Sequence, residues 1–258
     1  MSLHQIVTDT IELTERLLDE FGPRHVVLLG HSWGSLVGVL AAHRHPDLYS
    51  AFVSTGQITT FADGQEIAHQ FAISEAQRLG NTSAAAELGA IPSPPFLCAE
   101  GIAAWMKCVH WLDKFGAVWH QPKKFRPIRW MIGSPESSWA EKLRFTKAAL
   151  RSFELLYDDL VRADLSTSCP ELAMPVFMAA GRYDRMAPPE LAERYFNALI
   201  APHKKWMWFE ESGHFPQWEQ AEEFHRFLVE TVLTTVSNAP AVRSDHHPAA
   251  GRPSQGPS

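Results

Sequence analysis

The sequence predicts an α/β protein, a parallel sheet with helices on both faces and a helical segment inserted into it. Short apolar runs alternate with amphipathic stretches, which is the pattern of βαβ units. Residues 25–30 form one such run. It passes directly into Gly30-His31-Ser32-Trp33-Gly34 and then into a small-residue helical pattern over 36–42, giving strand, sharp turn, helix, with the two glycines leaving room for the bend and for helix against strand. Residues 58–172 break the alternation with helical stretches and Pro-rich turns.

The elements follow in order. Ser2 and Gln5 match an S-x-x-Q capping box, and Leu3, Ile6, Val7, Thr10, Leu13, Thr14, Leu17, Leu18 and Phe21 recur at three- and four-residue steps, so the chain opens with a helix. Gly22-Pro23 ends it. The strand over 25–30 and the Ser32 turn lead into a second helix, stopped by Pro46, and 50–56 reads as a second buried strand. Strand, helix and strand make a right-handed parallel unit.

Within 58–172, helices are expected over 62–79, 82–88, 100–114 and 139–161, separated by Pro-rich turns at 92–95 and 122–127. Trp105, Trp111, Trp119, Trp130 and Trp139 either line a pocket beneath a lid or fill the lid's own core, and for any one of them core packing is the simpler role. The parallel rhythm resumes with a strand over 174–181, a helix over 188–200 opened by prolines, a strand over 205–210 and an amphipathic closing helix over 219–236. Residues 237–258 lack periodicity and are rich in Pro, Gly, Ser and Ala, which reads as a disordered tail. The expected domains are a core from 1–57 and 173–236, a helical cap from 58–172, and that tail.

Composition bounds the function. A net charge of −6 leaves no basic footprint, so no nucleic-acid partner is expected. Three cysteines, Cys98, Cys108 and Cys169, without C-x-x-C spacing argue against both a disulfide framework and a zinc site. A reducing, cytoplasmic setting fits them. There is no signal-peptide pattern and no apolar run of spanning length, so no membrane partner is expected either. His43 and His45 lie two apart on a helix and point apart, and His246-His247 fall in the tail, so no metal and no cofactor are called for.

The chemistry lies at strand ends. In an open parallel sheet, reactive groups gather beyond the carboxyl ends of strands, and Ser32, Asp184 and His214 each follow such an end. A serine hydroxyl becomes a nucleophile at neutral pH when an imidazole takes its proton, and a carboxylate must hold that imidazole in one tautomer. The tight turn also sets the backbone N–H of Trp33 at a helix start, where it can face an oxyanion. Asp158, Asp159 and Asp164 are rival carboxylates in or beside the insertion, and Glu210 and Glu211 lie too near His214 in sequence to face it. His31 is expected to pack beside its strand.

Gly30-His31-Ser32-Trp33-Gly34-Ser35, Gly181-Arg182-Tyr183-Asp184 with Pro188 beyond, and Ser212-Gly213-His214 resemble the three signatures of the α/β-hydrolase superfamily, in the branch around proline iminopeptidases. The resemblance covers most of residues 1–236. It implies a serine hydrolase with a helical cap, acting on a small ester, amide or short peptide through an acyl-Ser32 intermediate. Two departures bear on prolyl specificity: His31 stands where that branch has Gly, and the cap's Trp-Glu-Gly segment is not found.

In that family the first helix here is preceded by several strands and a His-Gly-Gly loop carrying a second oxyanion donor. The resemblance therefore begins mid-fold, and the expectation is an α/β-hydrolase fold lacking its first strands. The strand ending at Gly30 would then be an apolar, unpaired edge that favours self-association. Loss of one oxyanion donor costs on the order of 10²–10³ in rate. A truncated, weakly active or inactive chain acting as an interaction module is the alternative reading.

Overall fold

The computed structural model describes residues 1–22, 26–120, 133, 135–136 and 138–238. Four parallel strands, β1 (Val27–His31), β2 (Ala51–Thr55), β3 (Val176–Gly181) and β4 (Lys204–Phe209), lie side by side in sequence order. Leu28 pairs with Phe52, Val53 with Phe177 and Met178 with Trp206. Since all four run the same way, His31, Thr55, Gly181 and Phe209 end on one rim.

Alternation along the central strands divides the core. Phe52, Val176 and Met178 pack with Val7 and Ile11 of α1 (Leu3–Phe21) and with Leu36 and Val39 of α2 (Trp33–Arg44). Ala51, Val53, Phe177 and Ala179 pack the other way, against Phe224, Phe227, Val232 and Val236 of the closing segment. Two buried faces explain why β2 and β3 read as continuous apolar runs. Each large side chain so buried contributes about 1.5–3 kcal/mol. Among the described residues β1 pairs only with β2, and Leu29 is its exposed position.

Half of the predicted capping box forms at α1. Ser2 Oγ accepts from Gln5 N at 3.2 Å, but the Gln5 side chain donates to Asp9 instead of returning to Ser2. A complete box forms at Ser138 and Glu141, heading the long helix Trp139–Arg162.

Between β2 and β3 the described chain runs through α3 (Phe61–Arg78), α4 (Thr82–Gly89), α5 (Cys98–Lys114) and α6 (Trp139–Arg162), then a one-turn helix, Leu165–Ser168. The two ends of this excursion meet in an antiparallel bridge, Thr60 with Asp164, and Leu165 N donates to Thr59 O at 3.0 Å. Trp105 is buried against Phe61 and Phe96. Beside it, buried Gln65 donates to Tyr157 Oη and accepts from Phe96 N. Trp139, by contrast, is 68% exposed and fills no core.

After β3, α7 (Pro189–Ala198) leads to β4. The continuous helix expected over 219–236 is in fact broken. It runs as Pro216–Glu219, Ala221–Arg226, a π-helical stretch Phe227–Leu233, and Thr234–Asn238. The break at Gln220 (φ −126°, ψ 54°) has a cause, since its Oε1 accepts from Glu211 N and Ser212 Oγ, anchoring the preceding loop. The last helix also takes in Ser237 and Asn238, which the sequence assigned to the tail. Pro23, His25, the 122–127 turn, Trp130 and the tail from 239, with His246 and His247, lie outside the described residues. No described helix is long and apolar enough to cross a membrane.

Candidate active site

Ser32 sits between β1 and α2 with φ 54° and ψ −128°, a positive φ found at no other non-glycine residue described. Such a conformation costs about 1–3 kcal/mol and persists only where its surroundings over-determine it. They do so here. Ser32 N donates to Thr55 O at 2.9 Å, and Ser32 O accepts from both Ser35 N and Ser35 Oγ. Ser35 Oγ in turn accepts from Ile58 N, which ties the turn to the segment after β2.

The two glycines of the turn are not equivalent. A Cβ on Gly30 would lie 2.5 Å from Gly34 O and 2.7 Å from Ser35 Cα, so only glycine lets helix and strand approach so closely. A Cβ on Gly34 would meet nothing within 4 Å, and the expectation that both glycines make room is corrected for that one. Trp33 heads α2, where a first-turn N–H has no intrahelical acceptor.

Asp184 and His214, 30 residues apart, meet at the same rim. Asp184 Oδ2 lies 2.8 Å from His214 Nδ1, and both side chains are buried. The other oxygen, Asp184 Oδ1, accepts from Met186 N at 2.9 Å and Ala187 N at 2.8 Å. With the carboxylate accepting, Nδ1 carries the hydrogen and Nε2 keeps a lone pair. That Nε2 is buried and has no hydrogen-bond partner among the described residues.

Both flanks of the Ser32 turn touch the His214 ring. His31 stands with its ring centroid 4.8 Å away. Gly56 (φ 56°), next to the Thr55 that holds Ser32, lies so close that a Cβ on it would be 2.7 Å from His214 Cε1. Ser32, Asp184 and His214 therefore share one end of the sheet. No Ser32 hydrogen bond to Nε2 is formed.

Three of the rival carboxylates are engaged elsewhere: Asp159 accepts from Leu3 N, Asp164 caps the one-turn helix, and Glu210 pairs with Arg182. Cys108 and Cys169 are buried free thiols, and burial pushes Cys108 up to about 12. Among the described residues no group of three or more His, Cys, Asp or Glu is arranged to hold a metal.

His31 does more than pack beside its strand. Its ring also meets Phe215 and Trp218, and Trp119 stacks on Phe215 at 4.0 Å, so an aromatic group adjoins His214. Burial, and secondarily the His214 imidazole, push His31 down to about 3 against a backbone hydrogen bond with Thr55. The unfolded chain therefore binds a proton near 6.5 that the native chain refuses, and His31 lowers stability as pH falls through that window. Between pH 7.5 and pH 4 the loss from His31 is about 3 kcal/mol. His31→Phe keeps a ring and removes the titration. Urea denaturation at the two pH values should show the variant losing about 3 kcal/mol less than the parent chain.

Two features had no sequence signal: the segment 117–120 and Glu219. Val118 O accepts from His214 N at 2.7 Å and Ala117 O from Arg185 N at 2.9 Å. Buried Glu219 accepts from Gly213 N and His120 N, both at 2.7 Å. Most of these contacts are made by backbone groups, which leave no residue-type trace.

A parallel sheet covered on both faces, with a strained serine turn and a buried histidine–carboxylate pair at its carboxyl rim, defines an α/β enzyme scaffold of the hydrolase kind. The model of the alpha/beta hydrolase fold matches residues 5–221, and the chain belongs to that family. It is 27% identical over 230 residues to a probable aminopeptidase, YbaC, of Bacillus subtilis (strain 168), covering 88% of this chain and 71% of that protein. A carboxylesterase of the same organism is 31% identical over 81 residues, 31% of this chain and 32% of that one. Among solved structures, proline iminopeptidase of Mycobacterium smegmatis aligns with a TM-score of 0.54 at 14% identity, covering 88% of this chain and 71% of that one.

Proposed function

We propose that the chain is a serine hydrolase cleaving an ester or amide bond of a small acyl compound, or releasing the N-terminal residue of a short peptide. The observation that carries this reading is the buried Asp184–His214 pair, whose imidazole, with Nε2 unpartnered, stands 4.8 Å ring to ring from His31, the residue before the strained Ser32. In the proposed cycle, Ser32 Oγ attacks the carbonyl carbon while His214 Nε2 takes its proton. The carbonyl oxygen becomes an oxyanion facing the Trp33 N–H. Collapse breaks the bond to the leaving group, which departs with the proton from Nε2 and leaves an acyl-Ser32. Water then attacks with Nε2 again as base, the carboxylic acid leaves, and Ser32 regains its hydrogen. Asp184 keeps Nδ1 protonated throughout. The likeness to a probable aminopeptidase and, over a shorter stretch, to a carboxylesterase supports a small acyl or aminoacyl substrate.

Labelling with a fluorophosphonate tests the reading. The intact chain should take the label on Ser32, and His214→Ala should suppress it. A chain that stays unlabelled would sink the enzyme reading. The second reading, a hydrolase-like interaction module, rests on Leu13, Leu17 and Phe21, which leave an exposed apolar row along α1.

A further inference from the structure

We propose that Glu219 is a positioning residue for the His214–Asp184 pair, holding the His214 loop against the segment 117–120. The inference rests on the serine-hydrolase reading only for its effect on rate; the geometry stands without it.

The loop before His214 is fastened at successive positions. Gly213 N donates to Glu219 Oε1, His214 N donates to Val118 O, and the Phe215 ring stacks on Trp119. The same segment reaches the carboxylate's loop, because Ala117 O accepts from the N–H of Arg185, the residue after Asp184. Glu219 Oε2 closes the ring by accepting from His120 N. One carboxylate thus bridges the residue before the histidine and the far end of the segment that touches both loops.

Packing at the bridge leaves little slack. A Cβ on Gly213 would lie 2.4 Å from Val118 O, and one on Gly181 would overlap Gly213 O. A carboxylate that is 4% exposed is retained only when hydrogen-bonded, and the two short charge-assisted bonds supply that. The residue type is also specified. Two N–H donors converge on two oxygens, and a glutamine would set an amide NH₂ against one of them. Without both bonds Gly213 is released, and the His214 ring can swing relative to Asp184. A misplacement of about 1 Å costs on the order of 10² in rate.

The test uses the full chain and two readouts. The first is the low-field proton resonance of His214 Nδ1–H, which reports the pair whether or not the chain turns over. The second is the rate of fluorophosphonate labelling, separated into the maximal inactivation rate and the inhibitor constant. E219Q should lose or shift the resonance and slow maximal inactivation about 100-fold, with the inhibitor constant unchanged. Thr14→Ala, which breaks a buried hydrogen bond to Tyr49 far from this loop, controls for lost stability and should change neither readout. If E219Q does not fold, E219D, which keeps both oxygens but withdraws them by one methylene, should show the same loss. A wild-type resonance and labelling rate in a folded Glu219 variant, or equal losses in Thr14→Ala, overturn the proposal. Should the parent chain refuse the label while its resonance still depends on Glu219, the nucleophile reading fails and the positioning role stands.

Discussion

Ser32→Ala is expected to lower kcat on an activated ester by on the order of 10⁶, with His214→Ala as damaging and the double variant no worse than either. Such non-additivity arises because hydroxyl and imidazole act in one proton transfer, and removing either removes it. Residual turnover of about 10³ over water should survive from oxyanion and binding contacts. The same position makes an independent stability prediction. With φ 54° and ψ −128°, Ser32 occupies backbone space that only glycine enters freely, and alanine inherits the strain. Ser32→Gly should therefore be as inactive as Ser32→Ala but more stable by about 1–3 kcal/mol. Matched melting curves and initial rates on the three chains check both statements. Equal turnover by parent and Ser32→Ala would place the nucleophile elsewhere.

Much of this was legible because strands and turns write themselves into residue types. Short apolar runs marked β1 to β4, and the strand ends then pointed to Ser32, Asp184 and His214, since reactive groups in a parallel sheet collect there. Gly30 was readable for the same reason, since the helix start lies so close that a Cβ there would fall 2.5 Å from Gly34 O. Gly34 obeyed the motif without the steric need the motif suggested.

What stayed hidden is held by backbone groups or by side chains recruited over long distances. The donors to Glu219 are the N–H groups of Gly213 and His120, 99 residues separate the farther pair, and an amide carries no signature of its partner. Gln220 sits in an unbroken amphipathic pattern, yet its side chain leaves to hold Glu211 and Ser212, and the helix breaks there. His31 followed its strand's pattern, but the ring it meets belongs to a loop that arrives from beyond β4. Local periodicity describes one element at a time, and each of these features lies where two elements meet.

Asp184→Asn should leave the fold intact and lower kcat by about 10⁴, because the arrangement dictates which way the amide turns. Oδ1 accepts from Met186 N and Ala187 N, two donors that only an oxygen can satisfy. The asparagine oxygen must take that place, which turns its NH₂ toward His214 Nδ1. A donor facing Nδ1 forces that nitrogen to accept, and the imidazole hydrogen moves to Nε2. The nitrogen that should take the Ser32 proton then has no lone pair to offer. Asp184→Ala reaches low activity by another route, leaving two buried N–H groups unpaired, and should also melt earlier. Nitrogen NMR of His214 separates the two mechanisms, since only Asp184→Asn moves the hydrogen wholly to Nε2. Activity of Asp184→Asn within tenfold of the parent would mean that another group orients the imidazole.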